Sequence, residues 1–197
     1  YLGAKPNNTP AFYNFMNYAD FGLGTWHPEG GMYSVVEGMK NLAEELGVTF
    51  EINSDVEKII VEKGKVTGLL VNGEQINTDL VLSGADYHHT ETLLDSTYRQ
   101  YSESYWAKKT FAPSSLLFYV AFDKKLKNVN HHNLFFDTDF DKHAVEIYDD
   151  PKWPTAPLFY ANFTSLTDPN SAPEGKENGF FLIPLATDLE DTEEQRN

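Results

Sequence analysis

Val56-Glu57-Lys58-Ile59-Ile60-Val61-Glu62, then Lys63-Gly64-Lys65, then Val66-Thr67-Gly68-Leu69-Leu70-Val71, then Asn72-Gly73 follow one another without a break. Runs 56–62 and 66–71 are dense in β-branched and apolar residues and bounded by turn formers, the pattern of two strands. Asn72-Gly73 is the pair that a tight hairpin favours, because both central residues must take positive φ. The chain therefore predicts a small antiparallel meander, with a third strand over Gln75 to Thr78.

Upstream, Val35, Met39, Leu42 and Leu46 recur at helical spacing with Lys40, Glu44 and Glu45 between them, which predicts a helix over 34–46. Ser34 and Glu37 have capping-box spacing, and Gly47 stands where a left-handed C-terminal cap belongs. Val48 to Ile52 alternates with period two and reads as a strand ending in the turn Asn53-Ser54-Asp55. The Asn-, Pro- and aromatic-rich opening holds a short helix near Phe12 to Ala19. Downstream, Leu80-Val81-Leu82 reads as a buried strand delivering the loop Ser83-Gly84-Ala85-Asp86. Beyond Tyr87 the texture changes: helices are expected over 90–94, 96–109 and 139–146, and strands over 115–122, 133–136, 158–164 and 180–187. Residues 168–179 read as a surface loop, and Thr192 onward as a helix just beginning, a sign of truncation. The fold class is α+β, with a mainly antiparallel sheet covered on one side by helices.

Composition narrows the function. Fifteen Lys and Arg face 30 Asp and Glu, and the resulting net charge of -15 repels phosphate backbones, so nucleic acid is not an expected partner. No apolar run reaches the roughly 18 to 20 residues that span a bilayer, and Tyr1 to Pro6 lacks a signal-peptide pattern. The absence of cysteine removes disulfides, thiolate metal sites and cysteine nucleophiles. Aromatic residues make up 14%, more than a core of this size needs, so either the core is aromatic-heavy or a large apolar surface is presented to something.

No self-sufficient active site is legible. His88-His89 and His131-His132 are adjacent pairs, and strand neighbours point to opposite faces, so no metal site is expected there. His131-His132-Asn133 fits either a strand entry whose side chains satisfy loop backbone or the lining of a substrate channel. Asp137, Asp139 and Asp141 lack the Gly and Glu of a calcium loop and read as a solvated acidic rim. Phe118-Tyr119, Phe135-Phe136 and Phe159-Tyr160 fall in expected strands, so one member of each pair can pack while the other lines a pocket.

Pro28-Glu29-Gly30-Gly31-Met32, the run Gly38 to Val48 and Asn53 to Ile59 resemble the second half of the flavin domain in amine-oxidase-like flavoenzymes. Ser83 to Asp86 followed by Thr92-Leu93-Leu94, then Pro113 to Tyr119, then His131 to Phe136 before an Asp-rich stretch, resemble the bacterial phytoene desaturase family, a likeness running across nearly the whole chain. The resemblance implies an internal fragment of an FAD-dependent carotenoid desaturase, with a partial FAD-binding domain over 1–86 and a substrate-binding domain over 87–197. It implies Val56, Ala85 and Asp86 near the cofactor, and a long apolar polyene as substrate along Phe118, Tyr119, His131, His132, Phe135 and Phe136. It also implies a cytoplasmic protein touching the membrane peripherally at full length. This sequence has no Gly-rich pyrophosphate loop, so the chain alone is expected neither to hold FAD tightly nor to turn over. The competing readings are a stand-alone isoprenoid- or lipid-binding module without catalysis, and a related retinol saturase or carotenoid isomerase activity.

Overall fold

The computed structural model describes residues 5–196, so Tyr1 to Ala4, where a signal-peptide pattern was sought, and Asn197 lie outside the described residues. The chain divides into two compact units, Leu46–Thr110 on the one hand and the residues up to Glu45 with those from Phe111 onward on the other. This division by compactness runs differently from the functional boundary expected at residues 86 and 87. Among the described residues no helix is long and apolar enough to cross a membrane.

In the larger unit, α1 (Asn14–Tyr18) lies between a 3-10 turn and a π turn, close to the short helix expected there. It is followed by α2 (Tyr33–Glu45). Gly47 has the positive φ of 89° expected of a left-handed cap. The capping box does not form: the helix begins one residue earlier, and the Ser34 hydroxyl donates back to the Gly31 carbonyl at 2.7 Å. The apolar face predicted for α2 is open, with Met39 70% exposed.

The smaller unit is built on β1 (Val56–Glu62), β2 (Lys65–Val71) and β3 (Glu74–Asn77), paired antiparallel in that order. Asn72 and Gly73 both take positive φ, as the hairpin requires. Val48–Ile52 and Leu80–Leu82 are not strands, contrary to expectation, and Leu80 and Leu82 are 81% and 96% exposed. Hydrophobic patterning alone does not make a strand: the backbone needs a ladder partner, and neither segment pairs with the three strands of this sheet. Then come α3 (Tyr87–Thr92) and α4 (Glu103–Trp106). The single helix expected over 96–109 is broken for an identifiable reason. The carboxylate of Glu91, 3% exposed, accepts hydrogen bonds from the backbone N–H of Gln100 (2.7 Å) and Tyr101 (3.2 Å) and from the Trp106 indole (2.9 Å). These amide bonds draw residues 100 and 101 out of any helical ladder, and Ser102 caps the short turn that follows.

Back in the larger unit, β4 (Ser114–Phe122), β5 (His132–Phe135), β6 (Phe159–Asn162) and β7 (Glu177–Leu185) form an antiparallel sheet of spatial order β4-β7-β6-β5. Strands β5 to β7 form a meander while β4 returns beside β7, a Greek-key order. The helix α5 (Phe140–Tyr148) connects β5 to β6, and α6 (Glu193–Arg196) closes the described chain. Residues paired across strands share a face. One face carries Leu117, Tyr119, Phe180, Leu182, Pro184, Tyr160, Asn162, His132 and Leu134; the other carries Phe118, Phe181, Phe159, Ala161 and Phe135.

Two buried groups set this sheet. His143 of α5 accepts from the Leu158 N–H at Nδ1 (3.1 Å), so its proton sits on Nε2 and is donated to the Pro184 carbonyl (3.0 Å), tying the helix to β6 and β7. Glu177, 2% exposed, begins β7 inside the stretch expected to be loop. The Ser165 hydroxyl bonds it at 2.5 Å and Lys125 pairs with it at 2.9 Å. Those hydrogen bonds, Ser165 first and Lys125 second, hold its carboxyl below the usual range despite burial.

Two outcomes test these contacts. A Cβ on Gly68 in β2 would stand 2.6 Å from the Ile76 carbonyl oxygen, a backbone atom that cannot swing aside. Gly68→Ala is expected to cost about 1–3 kcal/mol in urea unfolding; an unchanged midpoint would show the β2–β3 ladder to be slack. Burial alone would raise the Glu91 carboxyl, but the Trp106 indole, the two amides and Arg99 outweigh it and the group lies below its ordinary value. Its stabilising contribution is then complete above the unfolded carboxyl pKa of about 4.3 and is lost as pH falls through the lower folded value. Amide exchange at Gln100 and Tyr101 is expected to show that acid step in the wild type and not in Glu91→Gln; the same step in both would assign it to another group.

Candidate functional site

Period-two geometry sorts the expected substrate residues into two sets. Phe118 and Phe135 fall on the face where Phe135 stacks on Phe159 at a 4.4 Å ring separation and Phe159 leans on Phe181. Tyr119, His131 and His132 line a cleft of about 740 Å³ with Tyr160, Phe180, Trp26 and His27. Phe136 lines a separate pocket of about 300 Å³ beneath α5, walled by Leu134, Ala144, Ile147, Leu158, Leu182 and Pro184. His131 and His132 stand at the entry of β5, bond the side-chain hydroxyls of Thr167 and Tyr160 rather than loop backbone, and face the cleft.

The floor of the cleft is aromatic. Tyr119, 79% exposed, packs against Phe180 at 5.3 Å, and Phe180 meets the Tyr160 ring edge-on at 6.3 Å. One wall is polar. The Tyr160 phenol oxygen lies 2.6 Å from His132 Nδ1 and accepts from the Asn162 amide at 3.1 Å, while the Asn162 carbonyl accepts from Thr164 at 2.5 Å. With Asn162 oriented by Thr164, the arrangement that satisfies every group has the phenol donating to His132.

His131 lies 4.4 Å from His132 and 5.3 Å from His27, ring centre to ring centre, and bonds the Thr167 hydroxyl at 2.5 Å. Burial, then the neighbouring His132 and His27, push the His131 imidazole below the usual histidine range. His27 Nε2 is buried without a hydrogen bond, 3.6 Å from the Asp168 carboxylate. Among the described residues no group of His, Asp and Glu is arranged to hold a metal ion. Aromatic faces beside a few hydrogen-bonding groups suit the covering of apolar ligand surface while the polar groups fix orientation.

The residues expected near a cofactor belong to the smaller unit. Val56 opens β1 opposite Val71. The Ala85 N–H bonds the Ser83 hydroxyl at 3.3 Å, and the Asp86 carboxylate caps α3 through the His89 N–H at 3.0 Å. Both Ala85 and Asp86 are exposed. The polar groups of Ala85 and Asp86 are thus committed to local structure.

Sequence reading singled out the Phe159-Tyr160 pair without choosing Tyr160, and it missed Trp26, His27, Asn162 and Phe180. For Tyr160 and Phe180 the usable signal was strand parity, which becomes decisive only when register is known. His27 and Trp26 sit in a loop where no period operates.

Residues 1–196 match the family of flavin containing amine oxidoreductases. It is 42% identical over its full length to a carotenoid 3,4-desaturase of Haloarcula japonica, covering 40% of that protein. Over 94% of its length it is 32% identical to a zeta-carotene-forming phytoene desaturase of Myxococcus xanthus, covering 36% of it. The chain thus spans well under half of these curated relatives. The fold agrees with that of an oxidoreductase from Methanosarcina mazei solved by crystallography, at a TM-score of 0.69 and 22% identity, over 94% of this chain and 41% of that one. The chain belongs to the flavin containing amine oxidoreductase family.

Proposed function

We propose that this chain is the substrate-side part of an FAD-dependent desaturase acting on a carotenoid precursor such as phytoene. The observation that carries the reading is the open aromatic floor of Tyr119 and Phe180, in a chain 42% identical throughout to a protein named as a carotenoid 3,4-desaturase. Desaturation removes two hydrogens from adjacent carbons of a polyene, one with its electron pair and one as a proton, and forms a carbon–carbon double bond. A bound flavin supplies the two-electron acceptance, and oxygen or a quinone-like acceptor takes the electrons onward.

The chain's own residues bind, orient and exclude water. Tyr119 and Phe180 cover the flat polyene, Phe118 and Phe135 support that floor from the opposite face of the sheet, and the His131–His132 wall bounds the cleft. Val56, Ala85 and Asp86 are the residues proposed to meet the flavin's edge. The proposed cofactor residues fall within 1–86, whereas the cleft draws on both sides of that boundary, with Trp26 and His27 beside residues of 87–197. The whole protein is proposed to work in the cytoplasm at the membrane surface, since its substrate dissolves in lipid. The docking elements would lie outside this acidic portion, whose net charge is -15.

Expression of the full-length protein tests this directly. The purified protein is expected to be yellow with bound flavin and, given phytoene in lipid vesicles, to move the polyene absorption to longer wavelength as double bonds are added. Tyr119→Ala together with Phe180→Ala is expected to lower kcat/KM at least tenfold while leaving the flavin bound. A flavin-loaded protein that leaves the polyene unchanged but oxidises an amine would assign the family's other chemistry; a polyene-binding protein without flavin would favour the isoprenoid-binding module.

A further inference from the structure

The cleft and the pocket beneath α5 lie on the same face of the sheet, and Tyr160 is the residue that lines both. Its position follows from register: in β6 it stands between Leu134 of β5 on one side and Leu182 of β7 on the other, so its ring rises from the middle of the sheet. The ring is gripped from several directions. It stacks on His132 at 5.9 Å, meets Phe180 edge-on at 6.3 Å, and is tethered at its phenol oxygen by His132 and Asn162. Swinging it aside would break both tethers and leave His132 and Asn162 to find new partners.

Either side of this ring has a different chemistry. The cleft is floored by Tyr119 and Phe180 and walled by imidazoles, whereas the pocket of about 300 Å³ is walled chiefly by Leu134, Ala144, Ile147 and Leu182. That pocket is at the small end of ligand-site volumes, roughly 300 to 1,000 Å³, and apolar enough to take the branched hydrocarbon end of an isoprenoid. An apolar chain lying along the cleft floor meets Tyr160 before it can reach this space.

We infer that Tyr160 is a specificity-determining partition: it stops the end of the bound polyene in the cleft, keeps it out of the pocket under α5, and so sets how long a chain fits and which bond is presented for reaction. The inference rests on the polyene reading above and adds the residue that measures the polyene. The tether, on this account, fixes the ring's orientation, and the ring itself does the blocking.

The test uses the full-length protein and acyclic polyenes of graded length in detergent micelles. Binding is read by the circular dichroism that an achiral polyene acquires in a chiral site, and products by chromatography with mass detection. Wild type and Tyr160→Phe are expected to share one length cut-off, whatever the turnover of the latter. Tyr160→Ala, joining cleft and pocket, is expected to accept longer polyenes, binding the first excluded length at least tenfold more tightly and moving the position of the new double bond. Should the alanine variant fail to fold, Tyr160→Trp is read instead and is expected to shift the cut-off to shorter chains. A folded variant of either kind with the wild-type cut-off and product overturns the partition while leaving the polyene reading intact. A flavin-loaded wild type that binds no polyene of any length overturns both.

Discussion

Strand β7 has antiparallel partners on both sides, β4 and β6, and its pleat governs the rest of the larger unit. Because successive side chains must point to opposite faces, fixing one residue of β7 fixes the facing of every residue paired with it. Phe180 on one face therefore brings Tyr119 and Asn162 with it, and Phe181 on the other brings Phe118 and Ala161. A shift of one residue would put Phe181, Phe118 and Ala161 into the cleft and bury polar Asn162 in their place. The aromatic excess noted in the composition is in this way divided between supporting the sheet and lining its cavities.

Register on this scale needs an anchor, and Glu177 provides one at the first residue of β7. Its carboxylate is bound by Ser165 and Lys125, and the neighbouring Asn178 exchanges two hydrogen bonds with Ser165, N–H to Oγ at 3.0 Å and Oδ1 from N–H at 3.1 Å. A buried carboxylate left without partners would be strongly unfavourable, so the only comfortable placement of Glu177 is the one that also sets Phe180 three residues on. At the other end of the strand, His143 holds the Pro184 carbonyl. A strand pinned at both ends by buried polar groups cannot easily slip, and cavities built on it keep their shape.

This explains what could be read from sequence. The meander over 56–77, the helix over 33–45 and the four strands of the larger sheet were legible because local period and turn chemistry suffice for them: Asn72-Gly73 allows little other than a tight turn. That strand parity would separate Phe118 from Tyr119 was legible too, though not which faced the cleft, since that depends on partners far along the chain, and Phe159 and Tyr160 both reach the pocket under α5. The failures have a common cause. The helix expected over 96–109 yields to Glu91, a single carboxylate with no periodic signature. Val48–Ile52 and Leu80–Leu82 carry strand patterning without a strand beside them. His27 reaches the cleft from a loop. In each case the deciding term is a long-range contact or its absence, which propensity does not encode.

Charge is unevenly distributed around the cleft. The chain carries a net charge of -15; the cleft itself is lined by aromatic rings, amides, hydroxyls and imidazoles, while the adjoining pocket that shares Trp26, His27, His131 and His132 with it adds the carboxylates of Glu29 and Asp168. Taking a fixed charge out of water against a hydrocarbon would cost several kcal/mol without a partner to offset it, on the order of the penalty seen for buried ions. The site avoids that cost by crowding: burial, His132 and His27 together disfavour a proton on His131, so the ring nearest the polar wall stays neutral where an isolated histidine would begin to charge. His131 and His132 form a polar wall that bonds to Thr167 and Tyr160 beside the aromatic floor.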